Sequence, residues 1–320
     1  MKPLARHFTA TAPASIGNVG VGFDVLGLAF DAARDRVTAR LIEAPEIRLG
    51  QVSGLTDRLP TQVEENCALA AADAVRLRCG AQKGLELDVE KGVPMSAGMG
   101  GSAASAVAAA GAANAAFNAR LSKDGLLLCA MEGERVSADP PPWDNVMAAL
   151  HGGLVMAARL DPPLIRALPG PKGISCVLFH PDRKIETQAA RDLLADNVPL
   201  STAVEHSRNI AAFVAGCLLD DHALIESGLA DILIEPQRRP LLPELAPVQK
   251  AALDAGALGC SFSGSGPSVF AFARDGDLPA VRTAMETAFD ATGCAATAYE
   301  APLASRGLDV RTTPQAAEVY

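Results

Sequence analysis

The sequence predicts an α+β fold built from two domains. The chain has 320 residues, enough for one large domain or two of ordinary size. Candidate strands and helices are mixed along it without strict βαβα alternation, which disfavours a doubly wound sheet. Hydrophobic residues make up 49% of the chain and aromatic residues only 4%. Alanine, leucine and valine must therefore build the core, which suits helices packed closely on a sheet.

Hydrophobic patterns place the individual elements. Strands are predicted at residues 8–14, 36–41, 46–49, 85–89, 152–158, 175–179, 259–262, 268–273 and 295–300. Helices are predicted at residues 66–78, 106–119, 123–135, 187–194, 201–219, 222–231, 243–255 and 277–292. The stretch from Pro162 to Pro171 holds four prolines and one glycine, so we expect the connection between domains there, with domains at 1–160 and 161–320. The polar last dozen residues are expected to be loose.

Composition excludes several classes of protein. The net charge is −9 and there is no basic block, so no nucleic-acid partner is expected. The seven cysteines are scattered without a CxxC pair, and the five histidines do not cluster. We therefore expect reduced thiols, a cytoplasmic location and no transition metal. The N-terminus has no long apolar stretch and the run from Ala103 to Ala119 is too polar to span a bilayer, so neither a signal peptide nor a membrane anchor is expected.

A glycine-rich stretch precedes the most alanine-rich helix. GVPMSAGMGGSAAS runs from Gly92 to Ser105 and continues into the helix predicted at 106–119. Glycines allow the backbone to approach a ligand closely, and a helix N-terminus presents unpaired N–H groups to an anion, usually phosphate. Ser96, Ser102 and Ser105 could add hydroxyl contacts to phosphate or Mg²⁺. The alternative is an ordinary loop ending in an N-cap, because the stretch is neither a Walker A loop nor a dinucleotide fingerprint.

Two further glycine-containing segments bear on the interpretation of the glycine-rich stretch. PASIGNVGVGFDVLGLAF (Pro13–Phe30) and GALGCSFSGSGPSVFAF (Gly256–Phe272) flank it in the chain. Together the three resemble the motifs of the GHMP kinase superfamily in order and spacing. Within it the homoserine kinase family is the one the chain resembles, through WDNVMAALHGGLVM (Trp143–Met156), TQAAR (Thr187–Arg191) and EPQRRPLLP (Glu235–Pro243).

The resemblance implies a fold, a reaction and its ligands. It implies an N-terminal ATP-binding domain like ribosomal protein S5 and a ferredoxin-like α+β C-terminal domain. The implied activity transfers the ATP γ-phosphate to the side-chain hydroxyl of L-homoserine, giving O-phospho-L-homoserine for threonine biosynthesis. ATP and Mg²⁺ are the implied cofactors, and a homodimer is the implied assembly.

The resemblance also assigns the nucleotide end of the site. Nucleotide-binding residues would be Asn66, Pro94, Ser96, Gly98, Gly100, Gly101, Ser102, Ala103 and Ser105. Ser102 and Glu134 would hold Mg²⁺, which prefers hard oxygen ligands. The alternatives are a helix N-cap for Asn66 and a helix-surface charge for Glu134.

The substrate end of the site is assigned in the same way. Its residues would be Asn18, Asp24, Asp144, Asn145, Thr187, Arg191, Arg238 and Gly264. Asp24 would accept from the substrate ammonium group, and the two arginines would hold its carboxylate. Asn145 would orient the hydroxyl as a catalytic residue beside Glu134; because an amide cannot take up the proton, catalysis would rest on positioning and charge stabilisation.

Simpler interpretations of these residues stay open. They are loop turns for Asn18, Asp24 and the Asp144–Asn145 pair, a hairpin turn around Gly264, and solvated surface positions for the arginines. Arg239 adjoins Arg238, so either could be the carboxylate contact.

Two positions depart from the family pattern. Pro142 stands where the family usually has histidine, and Gly101 stands where it usually has serine. These departures leave open a GHMP-type kinase with another small hydroxylated acceptor, such as an isoprenoid alcohol, or a non-catalytic nucleotide or metabolite sensor.

Overall fold

Two sheets organise the protein, whose computed structural model describes residues 6–138 and 140–314. Within those residues the larger sheet has seven strands in the order β11-β1-β2-β4-β3, with β5 on β2 and β6 on β5. The neighbours are antiparallel except β3 and β4, which are parallel. The strands are β1 (Arg6–Gly17), β2 (Leu26–Ile42), β3 (Ile47–Gly54), β4 (Gly84–Lys91), β5 (Leu154–Leu160), β6 (Pro163–Leu168) and β11 (Asp309–Pro314).

The smaller sheet is formed by the second half of the chain. It is antiparallel throughout and has the order β10-β7-β9-β8. Its strands are β7 (Ile174–Pro181), β8 (Gly259–Phe262), β9 (Val269–Arg274) and β10 (Ala296–Pro302). With the helices that cover the two sheets, this confirms the predicted α+β class.

Ten α-helices are present in the described part of the chain. They are α1 (Cys67–Cys79), α2 (Gly101–Ala116), α3 (Lys123–Glu134), α4 (Trp143–His151), α5 (Thr187–Asp192), α6 (Leu200–Leu219), α7 (His222–Gly228), α8 (Glu235–Arg238), α9 (Leu245–Asp254) and α10 (Leu278–Thr292). Helices α1 to α4 enclose one hydrophobic core with β1, β2 and β4, and α9 and α10 enclose another with the smaller sheet. A third core lies between the two sheets and includes α6 and α7. None of the helices in the described ranges combines the length and apolarity that crossing a bilayer requires.

Small side chains explain how α2 becomes a central helix. Alanine strongly favours helix and lets neighbouring backbones approach closely. Helix α2 is buried over most of its length between α1, α3 and β1. Gly133 of α3 faces this junction, where a Cβ atom would lie 2.8 Å from Ala71 Cβ and 3.0 Å from Ala106 Cβ. The glycine thus sets the separation of three helices.

One expectation from the sequence is wrong, and the stretch expected to connect the domains contains regular structure. The proline-rich stretch contains strand β6, an edge strand paired only with β5, where a proline at the first position is tolerated. The chain passes to the smaller sheet only after this strand. Residues 309–314, expected to be loose, form β11 and pair with β1, while residues 315–320 lie outside the described residues. The larger sheet thus includes strands from beyond residue 160, and the boundary at 160/161 stays a prediction.

A pair of glycines in α3 tests this packing. We expect Gly133→Ala to lower the free energy of unfolding by about 1–3 kcal/mol, because the added methyl overpacks the helix junction. Gly125→Ala is the matched control: its Cβ would meet its nearest neighbour at 3.4 Å, so we expect a gain of about 0.5–1 kcal/mol from helix propensity. Urea denaturation measures both. Equal effects of the two changes would contradict the close-packing explanation.

Candidate active site

A cavity of about 350 Å³ lies where the three glycine-rich segments meet. Most of the predicted site residues line it: Asn18, Asp24, Asn66, Ser96, Gly98, Gly100, Gly101, Ser102, Ser105, Glu134, Asp144, Asn145, Thr187, Arg191, Arg238 and Gly264. Pro94 and Ala103 are not among the lining residues. The Ala103 side chain is fully buried in the protein interior, so it offers no side-chain contact to a ligand.

The glycine-rich segments meet through backbone contacts. Gly98 has φ = +71°, and a Cβ atom there would lie 2.6 Å from the carbonyl oxygens of Ser263 and Gly266. The Ser263 hydroxyl donates to the Gly98 carbonyl at 2.6 Å, and the Ser15 N–H donates to the Met99 carbonyl at 2.9 Å. Only glycine allows this approach at position 98.

Helix α2 starts at the cavity without a side-chain cap. Its N-cap is Gly100, with φ = +65°, and a Cβ atom there would collide with Ser15 Oγ. The first backbone N–H groups of a helix lack internal partners. Because Gly100, Gly101 and Ser102 all line the cavity, this end can receive an anion.

Ser105 is engaged by two buried charges that sequence reasoning missed. Its Oγ donates to Asp35 Oδ2 at 2.6 Å and accepts from Lys91 Nζ at 2.9 Å. Lys91 also forms an ion pair with Asp35 and donates to the Gly101 carbonyl at 2.9 Å. Lys91 thus fixes the start of α2 through its hydrogen bond to the Gly101 carbonyl. Its only sequence signal is its place at the end of β4, directly before the glycine-rich stretch.

Glu134 is a buried carboxylate with one free oxygen. It is only 2% exposed, so it is not a helix-surface charge. Its Oε1 accepts from Ser102 Oγ at 2.7 Å and from Ser137 Oγ at 2.9 Å. Among the described residues, Oε2 has no partner. Burial raises the pKa of Glu134 to about 7, and an unpartnered buried oxygen beside the Ser102 hydroxyl fits Mg²⁺.

Asp144 and Asn145 occupy the first turn of α4, so they are helical residues. Asp144 Oδ1 accepts from the backbone N–H of Asn145 at 2.9 Å. The Asn145 amide is oriented by Ser15 Oγ, which donates to its Oδ1 at 2.9 Å. Burial, and secondly the charge of Asp24, raise the pKa of Asp144 to about 6.

Asn18 joins three of these segments. Its backbone N–H donates to Asp144 Oδ2 at 2.8 Å, its Nδ2 donates to the Gly264 carbonyl at 3.1 Å, and its Oδ1 accepts from the Asp24 N–H at 3.0 Å. Asn18 has φ = +65°, a conformation that asparagine tolerates better than most residues. Its side chain therefore serves the loop as well as lining the cavity.

Two arginines form the other end of the cavity. Arg191 and Asp24 form a bidentate ion pair with two N–O distances of 3.2 Å. Arg238 is 4% exposed, and it donates to the carbonyls of Ala190 and Gly264 at 3.1 and 3.2 Å. No carboxylate of the described residues lies within ion-pair distance of Arg238. Desolvation, and secondly the charge of Arg191, lower the pKa of Arg238.

The ring of Phe23 lies beneath both guanidinium groups. Its centroid is 5.7 Å from Arg191 Cζ and 5.2 Å from Arg238 Cζ, within cation–π distance. Arg239 does not line the cavity, because it turns away to Glu235, 2.9 Å from Nη2 to Oε1. Of the adjacent arginines, Arg238 is therefore the one that faces the cavity. Phe23 stands in the first glycine-rich motif, which is the only signal that could have found it.

Asn66 and Thr187 have simpler contacts than the other lining residues. Asn66 Oδ1 accepts from the N–H groups of Ala68 and Leu69, which confirms the helix N-cap, and its Nδ2 donates to the Pro60 carbonyl at 2.8 Å. Thr187 is exposed, with its hydroxyl 3.4 Å from Ser265 Oγ. Both line the cavity, but the Asn66 amide is already engaged by its own loop and helix.

Comparison with known proteins identifies the superfamily of the chain. The family descriptions "GHMP kinases N terminal domain" and "GHMP kinases C terminal" match residues 66–153 and 210–291. The crystal structure of a homoserine kinase from Cytophaga hutchinsonii has a TM-score of 0.90 at 36% identity, over 95% of this chain and 97% of that one. The mevalonate diphosphate decarboxylase of Staphylococcus aureus has a TM-score of 0.73 at 14% identity, over 96% and 98% of the two chains, and shares the fold alone. Fold and site thus define a GHMP kinase, an ATP-dependent kinase of small molecules.

Relatives that are similar in sequence show to which family of GHMP kinases the chain belongs. A homoserine kinase of Xylella fastidiosa (strain 9a5c) is 42% identical over 312 residues, covering 95% of this chain and 94% of the relative. A homoserine kinase of Chlorobaculum tepidum is 36% identical over 321 residues, covering 96% and 99%. The chain belongs to the homoserine kinase family.

The raised pKa of Glu134 predicts a pH-dependent effect of its substitution. The folded-state pKa is about 7 against a usual 4.5, so ionisation of Glu134 opposes folding by about 3 kcal/mol at high pH. Protonated Glu134 does not oppose folding in this way. The free energy of unfolding is therefore undiminished below pH 4.5 and falls as the pH rises from there through 7. In metal-free buffer, we expect Glu134→Gln to be more stable than the wild type by up to about 3 kcal/mol at about pH 8, and equal to it near about pH 4.5.

Urea denaturation across this pH range measures the difference. Glu132→Gln is the matched control, because Glu132 lies on the same helix but is more than half exposed. A stability difference for Glu134→Gln that does not change with pH would contradict the assigned titration.

Proposed function

We propose that this protein transfers the γ-phosphate of ATP to the side-chain hydroxyl of L-homoserine, giving O-phospho-L-homoserine for threonine biosynthesis. The observation that carries the proposal is the Arg238 guanidinium, which is buried in the cavity without a carboxylate partner among the described residues. A buried cation without a counter-ion is costly, and an anionic ligand would relieve that cost. A substrate carboxylate at this end supports an amino acid as the acceptor.

The amino acid would bind by replacing the Asp24–Arg191 ion pair with its own ionic contacts to Asp24, Arg191 and Arg238. Asp24 and Arg191 form an ion pair with each other in the structure. A zwitterion presents an ammonium group to Asp24 and a carboxylate to Arg191 and Arg238, and the guanidinium fork suits a carboxylate. An acceptor with no carboxylate, such as a sugar, would leave Arg238 unpaired. Sugars and simple alcohols are therefore disfavoured as acceptors.

The phosphates would lie at the opposite end, on the uncapped start of α2. The Asn145 amide, held by Ser15 and Asp144, would orient the acceptor hydroxyl toward the γ-phosphate. An amide takes up no proton at neutral pH, so this side chain positions the nucleophile without acting as a base. Phosphoryl transfer tolerates that, because positioning and charge stabilisation supply most of its catalysis.

Glu134 and Ser102 are the residues that would hold Mg²⁺. The fit is supported by the unpartnered Glu134 Oε2 and the adjacent Ser102 hydroxyl. When bound, the ion would neutralise charge on the phosphate oxygens. The homodimer and the cytoplasmic location that the family resemblance implies remain predictions.

Steady-state ADP release with Mg·ATP tests the acceptor. We expect turnover with L-homoserine, and little with L-serine, L-threonine, mevalonate or galactose. Turnover with another acceptor would overturn the substrate while keeping the kinase. ATP binding without turnover of any acceptor would support a sensor.

The two cavity arginines give a sharper test. We expect Arg191→Ala and Arg238→Ala each to raise the KM for L-homoserine about 30-fold or more, as loss of a buried ionic contact does. The KM for ATP should stay within about twofold, because the nucleotide end keeps its contacts. Arg274→Ala, which removes an exposed arginine of the same half, is the control and should change neither constant. Equal changes in both KM values would contradict a dedicated carboxylate contact.

A further inference from the structure

The element that carries Arg238 is too short to hold its own orientation. Helix α8 has four residues, Glu235–Arg238, and a single helical turn is marginal without tertiary contacts. Arg238 is nevertheless buried with its guanidinium in the cavity. Contacts with other elements must therefore fix α8, and those of Arg238 with the Ala190 and Gly264 carbonyls are joined by others outside the cavity.

Glu235, the first residue of α8, makes the contacts that do so. It is 3% exposed and does not line the 350 Å³ cavity. One carboxylate oxygen accepts from Ser261 Oγ of β8 at 2.6 Å, and both accept from Gln249 Nε2 of α9 at 3.1 Å. Arg239 donates to it through Nε at 3.2 Å and Nη2 at 2.9 Å. The buried carboxylate is thus satisfied from three directions and ties α8 to a strand and a helix.

Asp231 secures the start of the same turn. Its Oδ1 accepts from the N–H groups of Leu233 and Ile234 at 2.9 Å, and its Oδ2 accepts from the N–H of Glu235 at 2.8 Å. The backbone leading into α8 is therefore fixed, and the side chain of Glu235 sets how the turn is rotated.

The contacts of Glu235 also give the two adjacent arginines, Arg238 and Arg239, different orientations. Arg239 is four residues after Glu235, on the same helical face, and is held there by its charge. Arg238 lies about 100° around the helix, and this rotation points it into the cavity. Glu235 thus adds a constraint on the rotation of the turn to the contacts that Arg238 makes with the Ala190 and Gly264 carbonyls.

We propose that Glu235 is a positioning residue for Arg238: by anchoring α8 to β8 and α9 and by holding Arg239, it directs the Arg238 guanidinium alone to the carboxylate end of the cavity. The inference rests on the proposed function in so far as that carboxylate belongs to L-homoserine. Glu235 touches no substrate and acts only through Arg238.

Glu235→Gln is the primary test, because it keeps size and removes charge. Since Gln249 Nε2 lies 3.1 Å from both carboxylate oxygens, the new NH₂ group faces a donor in either orientation. We expect the KM for L-homoserine to rise on the order of tenfold, as a displaced binding group produces. The kcat and the KM for ATP should stay within about twofold.

Glu244→Gln is the matched control. Glu244 is another buried carboxylate of the same half and is paired with Arg183, and none of its side-chain hydrogen bonds or ion pairs within the described residues reaches α8. It should leave all three kinetic constants unchanged. An equal rise in the KM for L-homoserine in both variants would overturn the specific role of Glu235.

A double-mutant cycle tests whether the effect passes through Arg238. In an Arg238→Ala background, Glu235→Gln should change the KM for L-homoserine by less than about twofold, because the group it positions is gone. The kcat/KM for 3-amino-1-propanol, which lacks the carboxylate, should likewise be unaffected by Glu235→Gln. A full tenfold effect in either case would show that Glu235 acts on the fold in general and would overturn the proposal.

Crystal structures of the wild type and Glu235→Gln decide the inference independently of the reaction. We expect the variant to lose the contacts of Arg238 with the Ala190 and Gly264 carbonyls, and an unchanged Arg238 would overturn the inference. Absence of homoserine turnover by the wild type would defeat the proposed function but leave this structural test valid. If Glu235→Gln does not fold, Ser261→Ala removes one anchor and should raise the KM for L-homoserine about threefold; no rise would overturn the proposal.

Discussion

The carboxylate of Asp144 is the contact on which the geometry of the site depends. It receives backbone N–H groups from α4 and, through Asn18, from the loop after β1. The Asn18 side chain in turn donates to the Gly264 carbonyl, which also accepts a hydrogen bond from Arg238. A continuous chain of hydrogen bonds therefore joins four segments that are distant in sequence. The side chains of Asp144, Asn18 and Arg238 are buried, so the loss of one contact would leave its partner unsatisfied at a substantial free-energy cost.

An acidic protein can hold an anion because local groups outweigh the net charge of −9. The uncapped start of α2 faces one end of the cavity, and Arg191 with Arg238 faces the other. The carboxyl groups of Glu134 and Asp144 also line the cavity, and burial raises their pKa values to about 7 and about 6. A bound metal ion or ammonium group would favour their charged forms. Binding of such ligands would thus offset part of the electrostatic cost of burying these groups.

Local signals predicted the parts of the fold that depend on local chemistry. The glycine spacing before an alanine run predicted the loop and α2, and hydrophobic patterns located most strands and helices. Strand β11 was missed because its polar residues gain stability only from pairing with β1. The Lys91–Asp35–Ser105 contacts were missed for a similar reason, since the charges lie 56 residues apart. Motif order predicted most of the lining residues, but it could not show that the Asn66 amide is already engaged by its own loop and helix.

The two departures from the family pattern lie beside this hydrogen-bonded frame and leave it intact. Pro142 precedes α4 and lines the cavity, so it replaces a polar contact with an apolar wall. Asp144 and Asn145 keep their places because Asn18 and Ser15 hold them from the other side. At Gly101, a Cβ atom would lie 3.1 Å from the Pro94 carbonyl and 3.7 Å from Lys91 Nζ. The position is therefore nearly large enough for serine, and glycine removes a hydroxyl while the Gly101 carbonyl still receives Lys91. Both changes alter the wall of the cavity, whereas the groups that orient phosphate, hydroxyl and carboxylate are set by contacts elsewhere.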